Sequence, residues 1–215
     1  MKKVLCVLIF SAVVGLFALP VNAITRDGFT LTVLHNDQPI REFNGQVAIP
    51  FYEEYKLRLK NSNDRRCIAK VWIDGAPVSK LGDPIIDTNG YLDLERFLDR
   101  SLTEGKRFKF VPLTDPEVDD PTRTENGIIR VQFVFERAVE LYNGIIIIEQ
   151  IEKPDGWVFQ YLDSTMTSTT INCSNGVSPG ATVGGGYSDQ SFKKVHFDES
   201  LETVLVELRL VGINN

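Results

Sequence analysis

Residues 54–61 read Glu54-Tyr55-Lys56-Leu57-Arg58-Leu59-Lys60-Asn61. Successive side chains of a pleated strand point to opposite faces, so Tyr55, Leu57 and Leu59 share one face while Lys56, Arg58 and Lys60 share the other. A strand of this kind covers a core with one side and meets water with the other. The same period of two recurs along the chain. Phe108 and Phe110 alternate with Arg107 and Lys109, and Ile129, Val131, Phe133 and Phe135 alternate with Arg130, Gln132 and Glu136. Cys67, Ala69, Val71 and Ile73 form a further apolar face, as do Val204, Val206, Leu208 and Leu210. Residues 145–148 and 157–161 lack the alternation and fit strands covered on both sides.

Turn signals separate these runs. Asn-Gly stands at 44–45, 89–90, 126–127, 143–144 and 175–176, and Asp-Gly at 27–28, 74–75 and 155–156. These residues tolerate the positive φ that tight antiparallel connections need, and Asp155-Gly156 is expected to join the two unalternating runs in a hairpin. Only residues 93–102 have helical spacing, with Leu94, Phe97 and Leu98 on one side, and they predict at most one short helix. The expected fold is all-β: an antiparallel two-layer β-sandwich of roughly eight to ten strands, in the immunoglobulin-like or jelly-roll range. Two long polar loops interrupt it. Residues 114–126 form an acidic loop, and residues 164–190 form a Ser/Thr/Asn/Gly tract in which Gly184-Gly185-Gly186 reads as a flexible turn.

The chain of 215 residues opens with Met1-Lys2-Lys3, an apolar run from Val4 to Leu19, and Pro20-Val21-Asn22-Ala23. A positive start, an apolar stretch and small residues before the cut mark a signal peptide over 1–23, leaving 24–215 as one sandwich domain, secreted or periplasmic. The run approaches the length of a membrane span, so an uncleaved anchor is the competing reading. No comparable run follows it, and no membrane insertion is expected after cleavage. Lys2 and Lys3 leave with the signal, which takes the formal net charge from −6 to −8. An acidic chain without a basic cluster argues against nucleic acid as partner. Its 43% hydrophobic and 10% aromatic residues exclude a disordered chain. Outside the cytoplasm Cys67 and Cys173 can form one disulfide. Parity puts Cys67 on a buried face and Cys173 in a polar loop, which favours two separate thiols.

A resemblance rests on several of these segments together. They are Glu54-Tyr55, Leu57-Arg58-Leu59-Lys60-Asn61, Asn63-Asp64-Arg65-Arg66, Val71-Trp72-Ile73-Asp74-Gly75 and Gly90-Tyr91-Leu92. With Gly127-Ile128-Ile129 and the glycines of 180–186 ahead of Val195 and Phe197, they resemble a family of secreted bacterial β-proteins of uncharacterised function. The likeness covers most of the chain after the signal and implies a compact secreted β-domain with no attributed reaction. Trp72-Ile73 before the Asp-Gly and the acidic insertion at 115–125 depart from that family's pattern.

Candidate chemistry is sparse. The two histidines, His35 and His196, carry no Gly-x-Ser-x-Gly signature with them, although a Ser-His-Asp triad can assemble from distant positions. No zinc spacing occurs. Asp115, Glu117, Asp119 and Asp120 put four carboxylates within six residues, the hard oxygen ligands that calcium prefers, so calcium is the one cofactor raised, against the plainer alternative of a solvated loop. Arg65 and Arg66 stand between a polar turn and a buried strand, and parity turns one of them inward. That guanidinium either contacts an anion or partner, or latches Asp74 or another acidic turn to the sheet. Trp72, Tyr91, Trp157 and Tyr161 can stack on sugar faces as a carbohydrate platform or fill the core.

The expectation is a non-catalytic exported sandwich with a structural or interaction role, as a surface, appendage or coat component. Its partner is a protein or glycan surface, or further copies of itself. A carbohydrate-binding module, calcium-assisted or not, and a hydrolase with a loop-built site are the alternatives.

Overall fold

The computed structural model describes residues 23–138, 141–142, 145–146 and 176–214. Its first strands are β1 (Ile24–Arg26), β2 (Phe29–His35), β3 (Gln38–Pro39), β4 (Glu42–Phe43), β5 (Gln46–Pro50) and β6 (Glu54–Asn61). β7 (Cys67–Ile73), β8 (Ala76–Pro77), β9 (Ile85–Ile86), β10 (Tyr91–Leu94), β11 (Gly105–Pro112) and β12 (Ile128–Glu136) follow. β13 (Leu141–Tyr142), β14 (Ile145–Ile146), β15 (Val177–Ser178), β16 (Gly180–Ser188) and β17 (Glu199–Ile213) complete the series.

Two sheets pack face to face. The first runs β1-β2-β6-β11-β16, with β3 beside β2 and β10 beside β6. The second runs β4-β5-β17-β12-β7-β8, with β9 beside β7 and β15 beside β17. All strand pairs are antiparallel except β17 with β5. The architecture is the antiparallel two-layer β-sandwich that the alternating runs predict.

Turn chemistry sets the register. Asp27-Gly28, Asn44-Gly45 and Asp74-Gly75 each hold both residues at positive φ, 48° and 79°, 51° and 76°, 54° and 77°. These are two-residue hairpins whose twist matches that of the flanking strands. Asn36-Asp37 makes a fourth such turn, at 51° and 61°, without a glycine. Asn143-Gly144, Asp155-Gly156 and the run 157–161 lie outside the described residues.

The predicted faces become the core. Tyr55, Leu57 and Leu59 of β6 meet Ile129, Val131 and Phe133 of β12 in one buried cluster with Phe108, Phe110, Val206, Leu208 and Leu210. Phe29 of β2 stacks on Phe133 across the two layers at 4.4 Å between ring centroids, both rings fully buried. Truncating a buried phenylalanine removes its transfer free energy and leaves a cavity, so Phe133→Ala is expected to cost about 3–5 kcal/mol. Urea unfolding followed by tryptophan fluorescence measures it.

Two expectations fail here. Residues 93–102 form no helix, because their backbone groups bond sideways to neighbouring segments. Phe97 N–H donates to Lys106 O at 3.0 Å, Leu98 N–H to Val78 O at 2.9 Å, and Lys80 N–H to Leu98 O at 3.0 Å. The helical spacing of Leu94 and Leu98 instead reflects two extended residues reaching the same core. The glycines at 184–186 are not a flexible turn either. They belong to β16, where Gly184 pairs with Phe108 of β11 and Gly185 and Gly186 fall at a register shift, an irregularity that glycine suits. At Gly180 a Cβ would lie 2.5 Å from Val111 O and 2.6 Å from the Phe110 ring, so no other residue fits there.

Candidate functional site

The link between the sheets at Pro50-Phe51-Tyr52-Glu53 carries the feature that builds a site. Phe51 turns inward and stacks on Phe110 at 5.7 Å, and a Cβ on Gly212 would lie 2.0 Å from its ring. Tyr52 N–H donates to Phe110 O at 2.7 Å. With Phe51 anchored and this amide fixed, Tyr52 is held at φ 70°, a left-handed conformation unfavourable for a bulky side chain. Its ring stands 57% exposed, with Lys109 Nζ 5.7 Å from the ring centre.

The ring overlooks an open, polar groove of about 620 Å³ on the outward face of the first sheet. β16 supplies its floor through Gly184, Gly185 and Gly186, and β11 supplies Lys106 and Lys109. A Cβ on Gly185 would lie 2.6 Å from Glu54 Oε1 and 3.1 Å from Lys109 Cβ, so the missing side chain makes room for the Glu54 carboxylate, which covers the strand there. Glu53 and Glu54 edge the groove from the β5–β6 link and β6, Asn36 from the β2–β3 turn, and Glu117 from the acidic loop.

The charges in the groove are unequally matched. Glu54 Oε1 accepts the Gly186 N–H at 2.6 Å, and its Oε2 lies 3.5 Å from Arg107. Glu53 Oε2 lies 3.3 Å from His35 Nε2. The lysines that pair with carboxylates among the described residues are Lys56 and Lys70. Lys106 and Lys109 pair with no carboxylate among the described residues, and the Glu117 carboxylate, also in the groove, pairs there with no cation.

The residues singled out from the sequence fall in several places. Glu117 lines the groove. Asp115 Oδ1 accepts the Glu117 N–H at 2.9 Å, and Asp120 Oδ1 accepts the N–H and hydroxyl of Thr122 at 2.9 and 2.7 Å. The latter contacts hold the Asp120 carboxyl below its usual pKa. Asp119 is exposed beside them, and among the described residues no three His, Cys, Asp or Glu side chains are grouped to hold a metal. His35 contacts Glu53 and Asn36, and His196 contacts Asp198 at 3.2 Å in solvent. Neither imidazole bonds a hydroxyl among the described residues.

Arg65 and Arg66 form a latch, though not onto Asp74. Arg66 makes a two-pronged pair with the Glu136 carboxylate, Nε to Oε2 at 2.8 Å. Arg65 reaches Glu202 Oε2 at 2.8 Å and Glu136 O at 2.6 Å, with its guanidinium 4.7 Å from the Phe135 ring centre. Neither turns into the core, because pleat parity begins only at Cys67 and residues 63–65 bend. The pair ties the β6–β7 turn to the ends of β12 and β17.

Trp72 points away from the core on the second sheet, with Arg130 and Pro77 as its register partners, so it lies on the opposite layer from the groove. Tyr91 is exposed on the first sheet under the Arg58 guanidinium, 4.7 Å from the ring centre. Trp157 and Tyr161 lie outside the described residues, as does Cys173. Cys67 is a free, fully buried thiol. Burial pushes its pKa up to about 12, which makes it unreactive.

Asp74 has a different part from the one expected. Its carboxylate accepts the Gly127 N–H and the Thr182 N–H, each at 2.6 Å, so a turn of the second sheet grips β16 of the first. Burial raises its pKa to about 6 despite those two donors and nearby Arg123. Comparison of the chain with protein-family models, with curated proteins and with solved structures returns no match.

Proposed function

We propose that the chain is an exported β-sandwich that works by binding rather than by catalysis, as a surface or coat component that meets its partner at the Tyr52 groove. The observation that carries this reading is Tyr52 itself. Left-handed backbone at a bulky residue costs roughly 1 kcal/mol or more, and such strain collects at functional sites. Asparagine or glycine would occupy the same turn at lower cost. A backbone already held in one conformation loses none of that freedom on binding, which is what a contact surface gains from the arrangement. The signal-like segment at 1–23 and the resemblance to secreted β-proteins support a location outside the cytoplasm.

The mature chain, 24–215, tested against intact bacteria, a glycan array and itself by sedimentation, is expected to bind at least one. Tyr52→Asn keeps the turn and should weaken that binding by about tenfold or more while the melting temperature holds or rises. A protein that stays monomeric and binds neither cells nor glycans would sink the proposal, as would a Tyr52→Asn variant that binds as well as the parent.

A carbohydrate-binding module is the form of this reading with specific support. Sugar rings stack on exposed aromatic faces, and Tyr52 presents one to solvent. Tyr52→Asn should then abolish binding on the glycan array, with the fold intact by circular dichroism.

A further inference from the structure

We infer that two copies of the chain pair through the free edge of β17, antiparallel and about a two-fold axis at Leu205, to make one continuous sheet. This surface is separate from the Tyr52 groove, and the inference does not rest on it. β12 lies along one side of β17 from Glu199 to Arg209, whereas β5 covers the other side only from Arg209 to Ile213. The covered end fixes the alternation of the backbone. Arg209 N–H donates to Gly45 O on the β5 side, and Leu210 N–H donates to Gly127 O on the β12 side. Thr203, Leu205 and Glu207 therefore turn their amides and carbonyls to the open side. Among the described residues the partner of those groups is Arg26, whose Nη1 lies 3.3 Å from Leu205 O. That side chain is 65% exposed, a contact that a backbone amide can replace. A row of unpaired strand groups is a template for another strand.

The side chains select a second copy as that strand. Leu201 and Leu205, 85% and 44% exposed, are the exposed leucines among the described residues. Phe43 of β4, 68% exposed, shares the outer face of Leu205 through its register with Gln46 and Arg209. A two-fold axis at Leu205 sets that residue against itself and Thr203 against Glu207. All three belong to the outward-turned set, so each pair exchanges N–H to O bonds in both directions. The bulge between Glu199 and Thr203 then carries Leu201 out of line toward the other copy's Phe43, where a straight strand would meet the β4–β5 turn. Charge does not oppose the pairing. A net-acidic chain repels its copies in general, but Glu199, Glu202 and Glu207 are each paired within their own copy, to Lys70, Arg65 and Arg130 at 2.9, 2.8 and 2.8 Å.

Sedimentation velocity on the mature chain from about 1 μM to 1 mM is expected to show a monomer–dimer equilibrium. Leu205→Lys and Leu205→Glu, each alone, set like charges against each other across the axis and should weaken the dimer about tenfold or more. Mixed one to one, the two variants should restore it, because position 205 then faces its opposite charge. Leu201→Glu, at the exposed bulge, should weaken it as well. Unchanged melting temperatures of these surface variants, measured at the dilute end, separate lost pairing from lost folding. A chain that stays monomeric throughout overturns the inference, as does a dimer that both Leu205 variants leave unchanged or that their mixture fails to restore. A dimer abolished by Tyr52→Asn and untouched at Leu205 would overturn it too and assign self-association to the groove, so the two readings fail separately.

Discussion

Replacing Arg96 with methionine is expected to lower the unfolding free energy by about 3–5 kcal/mol, since each buried carbonyl left without a donor costs about 1–3 kcal/mol. Arg96 has no exposed surface. Its Nε donates to Gln190 O at 2.8 Å, and its Nη1 donates to Phe97 O, Ser101 O and Glu104 O at 3.0, 3.1 and 2.9 Å. Phe192 covers it, 5.4 Å from guanidinium to ring centre. Burial draws its pKa below the ordinary guanidinium range while Glu95, Asp99 and Glu104 oppose that shift; at the normal basicity of arginine it stays charged. Methionine fills similar volume but leaves four carbonyls without their donor. Arg96→Lys should recover only part of the loss, because an ammonium cannot reproduce the planar fork. Urea midpoints with hydrogen exchange across residues 95–105 measure both variants, and a loss below about 1 kcal/mol for methionine would contradict the assignment.

The second large effect is a pH dependence. Asp74→Ala orphans two backbone donors and is expected to cost about 2–4 kcal/mol. Burial raises the Asp74 pKa from 3.8 to about 6, so the folded state holds the proton more tightly than the unfolded chain. Its contribution to stability is therefore fully present below pH 3.8 and is lost as pH rises through about 6. Asp74→Asn cannot titrate. The stability difference between the parent and this variant should shrink by about 2–3 kcal/mol on going from roughly pH 4 to pH 7. Measuring that difference cancels the other acids, several of which push the opposite way: Glu95, paired to Lys56 and Ser188, has a lowered pKa. A difference that is flat or grows with pH would show that burial does not dominate at Asp74.

Much of the sandwich is legible in the sequence. β6, β7, β11, β12 and β17 have the buried faces that their alternation predicts, and three Asp-Gly or Asn-Gly pairs are the hairpins they resemble. β16 escaped because glycine has low strand propensity, and its glycines answer to neighbours that only the fold brings close. Residues 93–102 read as helical because extended residues reaching one core from two segments mimic helical spacing. The Arg65-Arg66 latch was legible as a latch, but its partners Glu136 and Glu202 lie about seventy and more residues away.

The groove was less legible. Of its residues Glu54, Lys109, Glu117 and the glycines stand out in the sequence, and each for another reason. Pro50-Phe51-Tyr52-Glu53 contains no residue that favours positive φ, so nothing local marks Tyr52 as a turn; Phe51 buried against Phe110 and Gly212 forces the conformation.

Strand identity, the wet and dry sides of each strand and the tight turns follow from neighbours in the chain, since pleat parity and φ preference act over a few residues. Which carboxylate meets which amide, which lysines stay free and where a ring is stranded in solvent depend on segments far apart in sequence meeting across two sheets. Asp74 and Thr182 are 108 positions apart and join at 2.6 Å. Such meetings belong to sheet order and layer packing, and no window of sequence contains them.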